Sequence, residues 1–364
     1  MKVKEVANYL ESLAPLSSQE SYDNSGLIAG NPDVEITGVL VSLDCTEEIV
    51  QEAIDKKCNL IISHHPIVFK GLKRLTGKNY VERTVIKAIQ NNICLYAIHT
   101  NLDNYQNGVN KKIGDLIGIN KTEILSPAND VLQKLIVFTP KDAAESVKNA
   151  IFSAGGGNIG NYSECSFNSD GLGTYKGNEN SNPAYGEKGS RHQEEEIKIE
   201  VLISNHISSQ VVRSMLAAHP YEEVAYDLVP LNNQNKFEGS GMVGELEHPM
   251  DEKEFLALLK NTFKTGCIRH TALFNKPIKK VAWCGGSGSF LLKNAIRSEA
   301  DIFITGDFKY HEFFDAEDKI IIADIGHYES EQFTIDLIAD MIRKKFSTFA
   351  LYLTEENTNP VNYY

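Results

Sequence analysis

Two histidines stand side by side in CNLIISHHPIVFKG, residues 58–71. Along a regular strand adjacent side chains point to opposite faces, so His64 and His65 can serve one site only where the strand ends. Pro66 ends it, because proline supplies no ladder N–H and restricts the residue before it. Downstream, IHTNLD sets His99 four residues before Asp103, and IGHYESE sets His327 four residues before Glu331. Where a helix begins, that spacing puts an imidazole and a carboxylate on one face. Imidazole and carboxylate donors without a thiolate suit Zn, Mn, Fe or Co and are too rich in nitrogen for Ca or Mg. A tetrahedral zinc needs only four ligands, so this larger set leads us to expect a two-metal centre with a bridging carboxylate or water. A single histidine near a strand end is more often a surface or satisfied core residue. Recurrence of the set at strand ends, the edge where open α/β sheets gather ligands, is what raises it above that.

The elements that must position these residues can be read from periodicity. TGVLVSL, TEEIVQEAIDKK and CNLIIS make a β-α-β unit, and NICLYAI is a further strand. The order recurs in KKVAWCG, SFLLKNAIRSEA, DIFITGD and KIIIADIG. The fold class expected is therefore α/β, with two pseudo-equivalent halves forming one metal-binding domain. In that correspondence NLIISHHP matches DIFITGDF, which sets Asp307 against the histidine pair, and His99/Asp103 match His327/Glu331. Asp307 is then a candidate to orient a substrate or accept a proton without binding metal. His99 is a candidate proton relay, a sixth ligand or a support for Asp103. Between the halves the pattern changes to β-α-β-β-α-β, a ferredoxin-like order flanked by the polar turns SPAND and LNNQN. The parse is a metal-binding domain of residues 1–128 and 234–364 interrupted by an insert of residues 129–233. Inside the insert, NSDGLGTYKGNENSNPAYGEKGSRHQ reads as an unusually long loop.

Other segments carry weaker signals. WCGGSGSF, residues 283–290, offers backbone N–H groups of Gly285, Gly286, Ser287 and Gly288 as an anion cradle, though a tight turn needing glycine explains it equally well. It lacks the P-loop lysine and the GxGxxG spacing. GDFKYHE clusters Asp307, Lys309, His311 and Glu312, of which some should line the pocket and others form a solvated turn. His219 in AAHPYEE is expected to fix a helix-to-strand junction. The six cysteines are scattered without CxxC spacing and read as reduced. A net charge of −13 argues against a nucleic-acid backbone as the main partner. No apolar run is long enough to span a bilayer and the first residues show no apolar signal core, so a cytoplasmic protein is expected.

DNSGLIAG (23–30), SHHP (63–66), HTNLD (99–103), GDFKYHE (306–312) and GHYESE (326–331) together resemble the motifs of the NIF-three-like family, the GTP cyclohydrolase 1 type 2 homologs. HPYEEVAYDLVPL and the loop around NPAYGEKG resemble the longer bacterial members, which carry a P-II/CutA-like insert. The resemblance spans essentially the whole chain. It implies two divalent metal ions per chain, zinc foremost with Mn, Fe or Co also fitting, held by His64, His65, Asp103, His327 and Glu331. It further implies a homohexameric toroid with the metals facing an internal cavity.

Two functions fit these residues. One is a metal-dependent hydrolase acting on a small molecule such as GTP or another heterocycle, with His99 or a carboxylate relaying protons. The other is a non-catalytic metal-handling or regulatory protein whose insert binds a small molecule or a protein partner.

Overall fold

The computed structural model describes all residues from Met1 to Tyr364. It is a mixed α/β fold with several sheets. The chain folds into two compact units, Met1–Pro127 with Lys236–Tyr364, and Ala128–Asn235.

The first unit contains two sheets. The first sheet runs in the order Gly26–Ala29, Cys94–Ala97, Leu60–Ser63, Gly38–Ser42, Ala350–Leu353. The last four are parallel and only the edge strand Gly26–Ala29 is antiparallel. The second sheet runs Arg269–His270, Ile321–Asp324, Ile302–Gly306, Ile278–Ser287, Asn235–Met250, Thr122–Ala128. Its three strands from Ile278 to Asp324 are parallel and consecutive in the chain. Parallel strands covered on both faces read as near-continuous apolar runs, and LIIS, CLYA, IFITG and IIAD are buried at every position. Period-two geometry splits their side chains between layers. Val39 and Val41 join one core while Leu40 joins another, and Ile62 and Ile61 divide likewise.

The larger core unites both sheets. Val41, Ile62 and Tyr96 of the first share it with Trp283, Ile304 and Ala323 of the second, and with apolar stripes of the helices Val3–Leu13, Val109–Leu116 and Thr334–Lys345. Trp283 is fully buried and its indole N–H donates to the carbonyl of Asn110 at 2.7 Å, so the large ring enters without an unpaired polar atom. Gly114 permits this, since a Cβ there would lie 2.7 Å from the Trp283 ring.

The second unit is a four-stranded antiparallel sheet in the order Phe167–Tyr175, His192–Ser204, Leu132–Pro140, Tyr226–Leu231, with helices Ala144–Ser153 and Ser208–Ala218. Its core is Leu135, Val147, Ile151, Val201, Val211 and their neighbours. The segment expected as one long loop is shorter than the sequence suggested. NSDGLGTY lies in the strand Phe167–Tyr175, registered from Phe167 opposite Glu200 to Tyr175 opposite His192. Its glycines weaken strand propensity, but Gly173 leaves room for the Glu196 carboxylate, with which a Cβ would overlap. His219 caps the second helix, donating from Nε2 to the Phe138 carbonyl at 3.0 Å and accepting from the Tyr221 amide at Nδ1. No helix is long and apolar enough to cross a membrane.

Candidate metal centre

The strand Leu60–Ser63 stops before His64, and the backbone carries both imidazoles to the carboxyl edge of the first sheet. At the corresponding edge of the second sheet, the helix His327–Glu331 begins three residues after the strand Ile321–Asp324. The two edges bring His64, His65, Asp103, His327 and Glu331 together. His65 Nε2 is 3.0 Å from Glu331 Oε2 and 3.3 Å from His327 Nε2. His327 Nε2 is 3.1 Å from Glu331 Oε2. His64 Nε2 lies 3.6 Å from Asp103 Oδ1 and 3.7 Å from Glu331 Oε1. Three donor groups result: His65/His327/Glu331 and His64/Asp103/Glu331, which share Glu331, and His64/His65/His99, in which His99 has no carboxylate partner among the donors.

Each ring is fixed through its other nitrogen. His64 Nδ1 donates to the Ile98 carbonyl at 2.8 Å, His65 Nδ1 faces Asp44 Oδ1 at 2.8 Å, and His327 Nδ1 faces Asp307 Oδ2 at 2.7 Å. A ring that donates through Nδ1 presents a lone pair at Nε2 when neutral. A His64 ring in that form would aim its lone pair at carboxylate oxygens, acceptors facing an acceptor. Both His64 Nε2 and Asp103 Oδ1 are buried and without a hydrogen-bond partner. Leaving such an atom unpaired costs about 1–3 kcal/mol, and a cation between them removes the conflict. The donor set and its orphaned atoms fit a divalent metal.

The electrostatics agree. Burial pushes the Glu331 carboxyl up, but His327, His64 and His65 outweigh that and hold it well below the usual range. Burial lowers the His65 and His327 imidazoles, yet Asp44 and Glu331 raise the first to about 9, and Glu331 and Asp307 raise the second to about 11. Asp103 is pushed up to about 6, chiefly by burial and with Glu331 adding, against the lowering effect of His64. Positive charge on His65 and His327 thus offsets the clustered carboxylates, the role a cation would take between them.

His99 stands apart from its expected counterpart. His327 is the first residue of its helix, whereas His99 precedes the helix Thr100–Asp103 and its Nδ1 turns to Asp23 Oδ1 at 2.8 Å. The Asp23 side chain is fully buried and also accepts from the Thr100 amide and hydroxyl, from Ser25 Oγ and from the Asn24 amide. Burial raises its carboxyl, but His99 and Thr100 draw it far below the ordinary value. His99 remains beside the centre, its ring 5.2 Å from that of His64 and 5.3 Å from that of His65. Asp307 follows its strand in the left-handed region at φ +60°, a strained position for a residue with a side chain, and there it pairs with His327. Of the rest of GDFKYHE, Lys309 and Glu312 close a cap on the short helix Tyr310–Ala316, and neither they nor His311 line the cavity.

The glycine turn is not an anion cradle. The Gly285 amide donates to Asn110 Oδ1, the Gly286 amide to Ser330 Oγ and the Gly288 amide to Thr305 Oγ1, so three of the four N–H groups are spent on side chains. Its glycines serve the centre sterically. Gly286 has φ +62°, and a Cβ there would collide with Glu331 Oε1. Asp44, Asp23 and Thr358 were not singled out from sequence; Asp23 opens the motif DNSGLIAG, and LVSLD carries Asp44 just past a parallel strand end, whereas Thr358 had no readable signal.

A cavity of about 930 Å³ opens over the cluster. Residues 1–360 match the family model Duf34/NIF3 (NGG1p interacting factor 3). The chain is 36% identical over 367 residues to a Staphylococcus epidermidis protein named GTP cyclohydrolase 1 type 2 homolog, covering 100% of each. A Bacillus subtilis protein of the same name is 34% identical over 366 residues, covering 99% of this chain and 98% of that one. The crystal structure of a Bacillus cereus protein related to NIF3 superposes with a TM-score of 0.86 at 33% identity, over 100% of this chain and 99% of that one. With the motifs, the fold and full-length relatives in agreement, the chain belongs to the Duf34/NIF3 family.

Proposed function

We propose that the protein is a dinuclear metal-dependent hydrolase acting on a small heterocycle, in keeping with the name its relatives carry. The observation that carries this reading is the convergence of the three Nε2 atoms on Asp103 and on both oxygens of Glu331, beneath an open cavity. His65, His327 and Glu331 would hold one ion and His64, Asp103 and Glu331 the other, with zinc preferred and Mn, Fe or Co admitted by the donor set. When bound, such a pair supplies Lewis acidity and lowers the pKa of water toward neutrality. The chain's own contribution is orientation and proton transfer. Asp44 and Asp307 hold the His65 and His327 rings, and His99, steered by Asp23, is placed to carry a proton at Nε2. His99 lines the cavity within ligand distance of His64 and His65, yet its Nδ1 is held by Asp23 and it belongs to neither carboxylate-containing triad, which favours catalysis over metal storage.

The same reading takes the two sheets as pseudo-equivalent halves of one domain and residues 129–233 as a ferredoxin-like insert. Consecutive parallel strands in each sheet support the first, and the order strand, helix, strand, strand, helix, strand supports the second. It includes a homohexamer, which a solution mass near six times the 40.5 kDa chain would bear out and a monomer would remove.

Elemental analysis after reconstitution, combined with turnover of a nucleotide and metabolite panel, tests the proposal. Two ions per chain and chelator-sensitive turnover absent from His64→Ala are expected. One ion or fewer removes the dinuclear centre, and equal turnover by His64→Ala assigns the activity to a contaminant. Glu331→Gln offers one ligating oxygen in place of two and should lose at least one ion while remaining folded.

A further inference from the structure

We propose that the cavity takes an uncharged planar heterocycle, a nucleobase or nucleoside, and discriminates against polyphosphate nucleotides. This rests on the reading of the cavity as a metal-dependent small-molecule site and narrows its ligand.

The charge of the lining comes first. Besides Asp103 and Glu331, the acidic residues Glu20, Asp44, Asp307, Asp324 and Glu329 line the cavity. Against these seven stands one permanent cation, Arg269, whose guanidinium already donates to Asp324 and to the Phe308 carbonyl. No lysine lines the space. Two divalent ions would still leave carboxylate charge in excess. A nucleoside triphosphate brings about four further negative charges at neutral pH, which Lys, Arg or free backbone N–H groups would have to meet.

The backbone offers little substitute. The one loop whose glycines suggested a phosphate cradle has given the Gly285, Gly286 and Gly288 amides to Asn110, Ser330 and Thr305. The helix that follows this loop, Leu292–Arg297, adds no strong positive end, because it has six residues and begins beyond a 3-10 turn.

Aromatic rings supply what charges do not. Tyr22, Phe69, Tyr80 and Phe290 all line the cavity and are 65%, 48%, 60% and 61% exposed. One exposed ring is ordinary, but four around a single cavity form a set of exposed stacking faces. Phe69 stands edge-on to His99 with centroids 5.6 Å apart, which ties one such face to the histidine cluster. Phe290 comes from the other sheet, just past the glycine turn. Stacking of a base on an aromatic side chain contributes about 1–3 kcal/mol and needs no charge.

The test is calorimetric titration of metal-reconstituted full-length protein with guanosine, adenosine and GTP, guanosine and GTP differing only in the phosphates. At least one nucleoside should bind about tenfold more tightly than GTP. Phe69→Ala or Phe290→Ala should weaken nucleoside binding roughly tenfold at unchanged metal content. GTP binding as tight as, or tighter than, both nucleosides overturns the proposal. Failure of both nucleosides to bind overturns it too, as does nucleoside affinity unmoved by either substitution. Product formation followed in the same samples separates the two readings. Nucleoside binding without turnover keeps the ligand assignment and removes the hydrolase; turnover of GTP in preference to guanosine does the reverse.

Discussion

Asp44 grips His65 by the nitrogen that faces away from Glu331: its Oδ1 meets Nδ1 at 2.8 Å, while its Oδ2 accepts from the Thr358 hydroxyl at 2.6 Å. A residue near the end of the chain thus steadies a carboxylate that steadies a ring of the candidate metal centre. Partners of this kind fix the tautomer and raise the basicity of the ligating nitrogen, and their loss typically costs about 10- to 100-fold in metal affinity. Asp44→Asn should therefore bind the His65 ion about tenfold or more weakly in competition with a chromogenic chelator, with unchanged secondary structure by circular dichroism. Wild-type affinity in this variant would show that His65 needs no such support.

Gly286→Ala should damage the centre more than its conservative chemistry suggests. A left-handed backbone penalises any L side chain by about 1–2 kcal/mol, and the new methyl would also collide with Glu331 Oε1. Gly118→Ala separates the two effects, because Gly118 has φ +79° and open space where its Cβ would go. Both variants should lose stability in denaturant melts, whereas only Gly286→Ala should lose bound metal. Equal metal content in the two would mean that the glycine turn does not shape the Glu331 position.

How far these features were legible in the sequence follows from their range. His64, His65, His327 and Glu331 announce themselves because donors at strand ends follow from local periodicity, and the buried strands LIIS and IFITG are apolar enough to be read directly. The fate of the Gly285, Gly286 and Gly288 amides was not legible, since their acceptors Asn110, Thr305 and Ser330 come from three other elements and only the folded chain brings them near. The same holds for His99. Its spacing to Asp103 repeats that of His327 to Glu331, but Asp23, 76 residues earlier, captures the ring. The strand Phe167–Tyr175 was hidden for a different reason: its Gly, Asn and Ser content reads as loop, and pairing with the long partner His192–Ser204 overrides the propensity.

Stability should depend on pH through Glu52, which ties the last strand to the first sheet's helix layer. Its carboxylate accepts from the Glu355 amide at 2.9 Å and from the Thr354 hydroxyl, and pairs with Lys56 at 2.8 Å. Burial raises this carboxyl, but Lys56, Thr354 and the Glu355 amide together hold it below its ordinary value near 4.5. A depressed carboxyl stabilises the fold above its unfolded-state pKa and loses that contribution as pH falls through the folded one. Glu52→Gln should melt lower than wild type at neutral pH, by an amount equivalent to about 1–2 kcal/mol. The gap should close as pH drops below 4.5. A gap constant across that window would show that the loss is one of packing rather than of the ionised carboxylate.

Residues 128–235 should be dispensable for the metal centre. Every donor of both triads lies in the other unit, and the strands Thr122–Ala128 and Asn235–Met250, which flank the excursion, are neighbours in the second sheet. Joining Pro127 to Lys236 through a short linker should leave a folded protein that binds metal with wild-type stoichiometry. Insoluble protein, or soluble protein that binds no metal, would show that the core of residues 1–127 and 236–364 is incomplete by itself.

His99 should prove to be a proton carrier held by Asp23 rather than a ligand of either ion. Its Nδ1 is engaged by a carboxylate that four other donors keep ionised and fixed, so Nε2 is the one ring nitrogen left for chemistry. The His64 and His65 rings pack against it without displacing it from Asp23. A positioned acid or base typically contributes about 10²- to 10⁴-fold in rate. His99→Ala should keep both ions per chain and leave the visible absorption bands of the cobalt-substituted protein unshifted, while turnover of any substrate found falls by at least about 100-fold. Asp23→Asn should lower turnover by a comparable factor, because an amide facing Nδ1 can hold the ring in the wrong tautomer while leaving its position intact. Loss of an ion, or shifted cobalt bands in His99→Ala, would place His99 in the coordination sphere. The Asp23 pair would then belong to the same class as Asp44 with His65 and Asp307 with His327, a carboxylate holding a ligand in place.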